Sequence, residues 1–150
     1  MNNQTIENVI KSLMNAWDAK NPKAFAEVFT KDAIFTNVLG DVAEGKEAIE
    51  QMHIFPFSGP LKDAHQTYVV THIKWLSSDS AIADLRWEGF NQKIPGTDQV
   101  LPPRKGLINL AITFEDGKWK IAAGYNTDYT ATYQRKGEKE EEVLTNYRPE

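Results

Sequence analysis

Residues 16–53 read AWDAKNPKAFAEVFTKDAIFTNVLGDVAEGKEAIEQMH and carry, in order, a helix end, a helix restart, a strand, a glycine turn and another helix. Asn21 has the chemistry of a helix cap, and Pro22 stands at the first helical position, where its missing N–H costs nothing. Phe25, Val28 and Phe29 supply the buried stripe of this short helix. Ala33–Leu39 reads as a strand, on its Ile, Phe, Thr and Val content. Gly40 and Gly45 bracket a turn, with a short strand between them at Val42-Ala43. The next helix runs from Lys46 to about Phe55 and is stopped by Pro56. Upstream, Thr5 serves as an N-cap, and Ile6, Val9, Ile10, Leu13, Met14 and Trp17 recur at helical spacing. That first helix extends to about Lys20 with one apolar face.

After Pro60 the pattern changes to strands. His65–Leu76, Ala81–Asn91, Lys105–Phe114 and Trp119–Tyr133 are runs of β-branched and aromatic residues. Ser77-Ser78-Asp79 and Glu115-Asp116-Gly117 are hairpin links, and a longer Pro/Gly segment, Pro95–Pro103, is expected to be a mobile loop. Such links make neighbouring strands antiparallel. Helices followed by a meander is an α+β order. We expect one domain over residues 1–136 and a charged tail over 137–150, solvated around Glu138–Glu142.

Composition narrows the function classes. A chain of 150 residues can bury a core, removing roughly 70% of its unfolded surface from water. A net charge of −4 argues against nucleic acid, whose phosphates attract basic patches. The absence of cysteine leaves no disulfide framework and suits a cytoplasmic protein. No run approaches the ~20 apolar residues of a membrane span, and the N-terminus lacks the pattern of a signal peptide.

Gly40–Lys46, GDVAEGK, matches the spacing of a phosphate-binding loop between a strand and a helix. Glu47 stands where a Ser or Thr should bind magnesium, and Asp41 and Glu44 would put negative charge beside phosphate. The glycines are therefore read as turn residues and Lys46 as a helix start.

The residues able to carry chemistry are few. His53 shares a helix face with Ile49 beside Met52, so it is either a neutral core histidine bonded to a backbone carbonyl or a pocket acid–base. Asn37 and Asn126 are each either turn-bonding or ligand-anchoring amides. Trp87 alternates with Ala81, Ala83 and Leu85 and so ends a row of small residues, where it can form a pocket wall; Trp17 faces the same interior. Arg104 is in phase with Gly106, Ile108, Leu110 and Ile112, either as a solvated rim cation or as a partner for an anion or a carboxylate. His65 and His72 are seven apart on one strand, so they should face opposite sides, and no metal-ligand spacing is present. No cofactor motif is present either.

The 16–53 succession, the strand meander and the late Asn126-Thr127 pair resemble the SnoaL-like branch of the nuclear transport factor 2-like superfamily, closest to its SgcJ/EcaC-type proteins. The resemblance spans about Thr5 to Thr132. It implies a cystatin-like cone, with N-terminal helices packed on a curved, mainly antiparallel sheet around a small-molecule pocket. It further implies a homodimer through the open face of that sheet. It moves His53 toward the pocket role and Asn126 toward the ligand-anchoring one; with the residues read from phase and position, the expected ligand site is Trp17, Asn37, Met52, Trp87, Arg104 and Asn126. The ketosteroid isomerase branch places an Asp base in a D-P-F-G segment matching Asn37-Val38-Leu39-Gly40, with oxyanion donors near Leu13 and Leu110. Asn and Leu supply neither group. Two functions remain open: a cofactor-independent cyclase, dehydratase or isomerase acting on a hydrophobic carbonyl compound, and a non-catalytic ligand-binding or association module.

Overall fold

A computed structural model of the chain describes residues 1–130. The tail expected over 137–150, and the end of the last expected strand through Tyr133, lie outside the described residues. Among the described residues, helices α1 (Asn3–Asp18), α2 (Pro22–Glu27) and α3 (Lys46–Ser58) pack on one six-stranded sheet. Its strands are β1 (Phe29–Thr36), β2 (Val42–Glu44), β3 (His65–Ser77), β4 (Ser80–Phe90), β5 (Arg104–Glu115) and β6 (Lys118–Asp128). The spatial order is β2-β1-β6-β5-β4-β3. Every neighbouring pair is antiparallel except β1 and β6, which run parallel. The result is the α+β cone with a curved, mainly antiparallel sheet.

Several boundaries differ from the sequence reading, each for a physical reason. The cap of α1 is Asn2, whose side chain accepts from Gln4 N at 2.9 Å, three residues before Thr5. The polar first turn carries no apolar periodicity to reveal it. At α2 the Asn21 cap is as expected, its Oδ1 accepting from Ala24 N at 3.0 Å. The helix ends at Glu27, however, and Phe29 opens β1 by pairing with Ile121. That shift carries the strand end back to Thr36, so Asn37 lies beyond it in the turn. Pro56 does not stop α3, because it sits in the last turn while Phe57 is buried. Forfeiting one helical N–H there is offset by seating an aromatic ring in the core, a burial worth about 1.5–3 kcal/mol. Gly40 and Gly45 both have positive φ, at 83° and 93°, as their turn role requires.

The inner face of the sheet is built in rows set by register. From one end they are Trp75–Ala81–Ile112–Ile121–Phe29, then Ile73–Ala83–Leu110–Gly124–Phe35, then Val70–Leu85–Ile108–Asn126, then Tyr68–Trp87–Gly106–Asp128. Ile6, Ile10 and Leu13 of α1 join the first rows in one buried cluster. Ala81 and Ala83 are 1% exposed, so small side chains here admit the helix rather than leave a void. Trp75 Nε1 donates to Asn3 Oδ1 at 2.8 Å and ties the start of α1 to this end. The other end of α1 is tied by Lys20, whose Nζ donates to Ala64 O at 2.6 Å.

A bulge in β3 between Val70 and His72 resets its alternation. His65 and His72 therefore both lie exposed on the outer face, contrary to the simple count of seven. Their separation along the strand, about 20 Å at ~3.3 Å per residue, still precludes a shared ion. Among the described residues no cluster of His, Asp or Glu has metal-site geometry. The Pro95–Pro103 loop is more tied than expected. Lys93 and Val100 form a bridge, Leu101 N donates to Gln92 O at 2.7 Å, and Lys93 N donates to Pro60 O at 2.9 Å.

Candidate functional site

His53 lies one turn after Ile49 on the buried face of α3, and the helix delivers it into an aromatic box. Its ring centroid lies 4.1 Å from that of Phe25, 5.2 Å from Phe57 and 5.4 Å from Phe35. Nδ1 is 2.7 Å from the Ile49 carbonyl oxygen. A carbonyl only accepts, so Nδ1 carries the hydrogen and Nε2 carries a lone pair. Burial pushes the imidazole pKa below its ordinary value, and the Ile49 bond opposes this only in part. The ring is therefore neutral at neutral pH. Among the described residues Nε2 has no hydrogen-bond partner, and the one unpartnered side-chain atom sealed from solvent is Thr113 Oγ1. Nε2 keeps its lone pair as an acceptor. The bond to a backbone carbonyl is the one that the core-histidine reading expected, with Nε2 unpartnered among the described residues.

Met52 is half-buried against the core next to His53. Trp17 packs edge-on to Phe57 at 6.3 Å between centroids, which links it to the same box. Lys20 lies over the Trp17 ring, Nζ 3.7 Å from its centroid, and fixes it by a cation–π contact. Burial lowers the Lys20 pKa, with Asp18 and Asp63 opposing. Lys20 holds a left-handed backbone at φ 53°, a cost of order 1 kcal/mol for a residue with a side chain.

On the sheet wall, Trp87 Nε1 donates to Asn126 Oδ1 at 2.9 Å. Trp87 is 8% exposed, and its indole lies over Gly106, where a Cβ would overlap Cε2, Cζ2 and Nε1. Phe35 connects this wall to His53, because it also packs over Gly124, 3.0 Å from the point a Cβ would occupy. Asn126 follows Gly124 on the same face, about 7 Å along the strand. Arg104 is drawn to Asp128 rather than left as a solvated rim cation. Both Nε and a terminal guanidinium nitrogen reach Asp128 Oδ2 at 2.6 Å, and Asp128 Oδ1 accepts from Thr130 N at 2.8 Å. The pair cancels its own charge.

Asn37 stands apart. Its Oδ1 accepts from Leu39 N at 3.0 Å and Asp41 N at 2.9 Å, closing the β1–β2 turn. The turn-bonding reading describes its position. Leu13 and Leu110, at the places where an isomerase would hold oxyanion donors, are each 1% exposed within the core. A shallow cleft of about 400 Å³ also exists outside the cone, lined by Thr5, Asn8, Ser12, Glu27, Trp119 and Lys120 among others. None of Trp17, Asn37, Met52, His53, Trp87, Arg104 and Asn126 lines it.

The roles of Gly106 and Lys20, and Asp128 altogether, escaped the sequence reading. A glycine among β-branched strand residues was the available signal for Gly106. Counting back from the Asp116-Gly117 turn sets Arg104 opposite the 128–130 stretch. Nothing in the sequence indicated that Lys20 folds back on Trp17.

The sequence profile of the SnoaL-like domain matches residues 2–124, so the chain belongs to the SnoaL-like family. No curated protein matches it. An uncharacterised protein with a cystatin-like fold from Caulobacter vibrioides superposes with a TM-score of 0.77 at 24% identity, covering 86% of this chain and 90% of that one. A ketosteroid isomerase-like protein from Erwinia carotovora atroseptica gives 0.74 at 17%, covering 84% and 95%. An NTF-2 like protein of unknown function from Shewanella oneidensis gives 0.69 at 17%, covering 85% and 100%. At these identities the likeness is one of fold.

Proposed function

We propose that this SnoaL-like protein binds a small, mostly hydrophobic carbonyl compound at the polar end of the cone, with His53 as the proton acceptor. The observation that carries the reading is the locked tautomer of His53: a neutral ring in an aromatic box, with Nε2 unpartnered among the described residues. Such a group can take a proton from a carbon next to a carbonyl without a cofactor. That is the elementary step of a cyclase, dehydratase or isomerase. Trp17 and Met52 form one wall of the site and Trp87, Asn126 and Arg104 the other, with Asn37 outside at the rim. Within the family we place the chain nearest the SgcJ/EcaC-type branch, on its Asn126-Thr127 pair. We place its work in the cytoplasm, on its cysteine-free composition.

The test uses 2-acetylnaphthalene in deuterated water, with exchange of the acetyl protons followed by proton NMR. Wild type should accelerate exchange and His53→Gln should bind the ketone without accelerating it. One observation favours a second reading: Nδ1 of His53 is held by a backbone carbonyl and not by a carboxylate that would strengthen a base. A non-catalytic binding or association module would bind the ketone and leave exchange at the background rate.

A homodimer through the outer sheet face is also proposed. Rows Ile82–Ala111–Ala123–Ile34 and Asp84–Asn109–Tyr125–Thr36–Val42 cross that face. Ile34, Val42, Ile82, Tyr125 and, further along, Val69 are 39–66% exposed there, an apolar patch of the kind that marks an interaction site. The Asn109 amide bonded to Asp84 at 2.7 Å gives it a polar element. Sedimentation at micromolar concentration should give twice 17.0 kDa; Ile82→Glu should halve the mass.

A further inference from the structure

We infer that Trp87 is a positioning residue which turns the Asn126 amide so that Nδ2 faces the proposed pocket, called the chamber below, as a pure donor, selecting ligands that present an acceptor oxygen there. This rests on the pocket reading above and deepens it. Trp87 pairs directly with Gly106 on β5, whereas Asn126 belongs to β6 and pairs with Ile108. The indole must therefore cross a whole strand to reach the amide. It can do so because Gly106 has no Cβ to meet Cε2, Cζ2 and Nε1.

An indole N–H only donates, so the amide atom 2.9 Å away must be the oxygen. A free asparagine offers a donor or an acceptor by flipping, but this one is held in one sense. Its two remaining N–H bonds have no partner among the described residues, and Asn126 lies in phase with Gly124 and Asp128 on the inner face. His53, linked to this wall through Phe35, would offer the complementary group, the lone pair of Nε2. One donor and one acceptor, both neutral, suit a ketone or aldehyde with an acidic C–H beside its oxygen. They disfavour an ammonium or amide N–H directed at Asn126, which would meet another N–H. The neighbouring Arg104–Asp128 pair adds no net charge for an ionic head group.

The experiment uses the full chain, nitrogen-15 labelled, with Trp87 assigned through Trp87→Phe. In the ligand-free protein Asn126→Ala should shift the Trp87 indole resonance by several tenths of a ppm and speed its exchange with water, as should Gly106→Ala. Binding is then compared between 2-acetylnaphthalene and 2-ethylnaphthalene, which differ in the acceptor oxygen. Wild type should prefer the ketone about tenfold. Trp87→Phe keeps an aromatic ring but frees the amide, and its preference should fall to about twofold. Asn126→Asp still accepts from Trp87 but turns an oxygen to the chamber, so its preference should vanish while 2-ethylnaphthalene binding persists. An indole resonance indifferent to Asn126→Ala would overturn the inference even if both probes bind. Equal binding of the two probes by wild type would overturn it as well, leaving a hydrophobic pocket without the proposed polar selection. Failure of both probes to bind removes the pocket reading, and the inference falls with it.

Discussion

Two ends of the same sheet face obey one alternation rule yet serve different ends. At one end Trp75, Ala81, Ile112, Ile121 and Phe29 form an apolar row beside α1, tied to it by the Trp75 N–H donating to Asn3 Oδ1. At the other, Trp87 crosses Gly106 to hold the Asn126 amide, and Asp128 pairs with Arg104 at the strand start. The first end is close-packed, so it should govern stability. The second holds polar groups whose partners are arranged in one sense, so it should govern recognition. The difference comes from residue size and polarity at four or five positions, not from topology.

The comparison breaks if changes at the polar end fail to affect chemistry. The largest expected effect is on His53→Gln, which should lower the rate of acetyl proton exchange by roughly 10²–10⁴, the usual scale for a positioned base. Binding of the ketone should survive within a few-fold, as isothermal calorimetry would show. Next comes Ile112→Ala at the packed end, expected to cost about 2–5 kcal/mol in urea unfolding. Ketone affinity of the folded fraction should not change. A ligand effect comparable to the His53 result would erase the distinction between the ends.

Smaller effects sharpen it. Asp128→Asn leaves Arg104, a partly buried cation, without its charge partner and should cost about 1–3 kcal/mol of stability. Raising the net charge at the chamber should also let 2-naphthoate bind where wild type rejects it. Asn37→Asp should change stability by less than about 1 kcal/mol, since a carboxylate can accept from Leu39 N and Asp41 N but then faces the Asp41 carboxylate. It should create no isomerisation of a 5-ene-3-keto steroid, because buried Leu13 and Leu110 cannot donate to a dienolate oxygen.

Much of the fold was legible because its signals are local. Asn21-Pro22, the Asp116-Gly117 turn and the alternation from Ala81 to Trp87 each encode their element within a few residues. The boundaries that moved are those decided by distant partners: Phe29 joins β1 because Ile121 is beside it, and Pro56 stays helical because Phe57 is buried. The candidate site was legible only as residue types. Phase put Arg104 and Trp87 on the inner face, but whether an amide or a guanidinium is already satisfied depends on register. The parallel β1–β6 pair and the bulge after Ala111, which set the partners of Asn126 and Asp128, leave no signature in the chain.

The neutral, Nδ1-protonated state of His53 is the point on which the chemistry depends, and its titration tests it most directly. Because burial lowers this pKa below 6.5, the unfolded chain takes up a proton that the folded chain refuses as pH falls past that value. The contribution of His53 to stability is complete above about pH 6.5 and is lost as pH drops toward the folded-state pKa. Long-range nitrogen-15 NMR of the imidazole, recorded from pH 8 downward, should show an Nδ1–H tautomer, a midpoint below 6.5, and a shift confined to Nε2 when 2-acetylnaphthalene is added. An Nε2–H tautomer would contradict the assignment of His53 Nε2 as the proton acceptor, and a midpoint at or above 6.5 would contradict the burial that keeps the ring neutral.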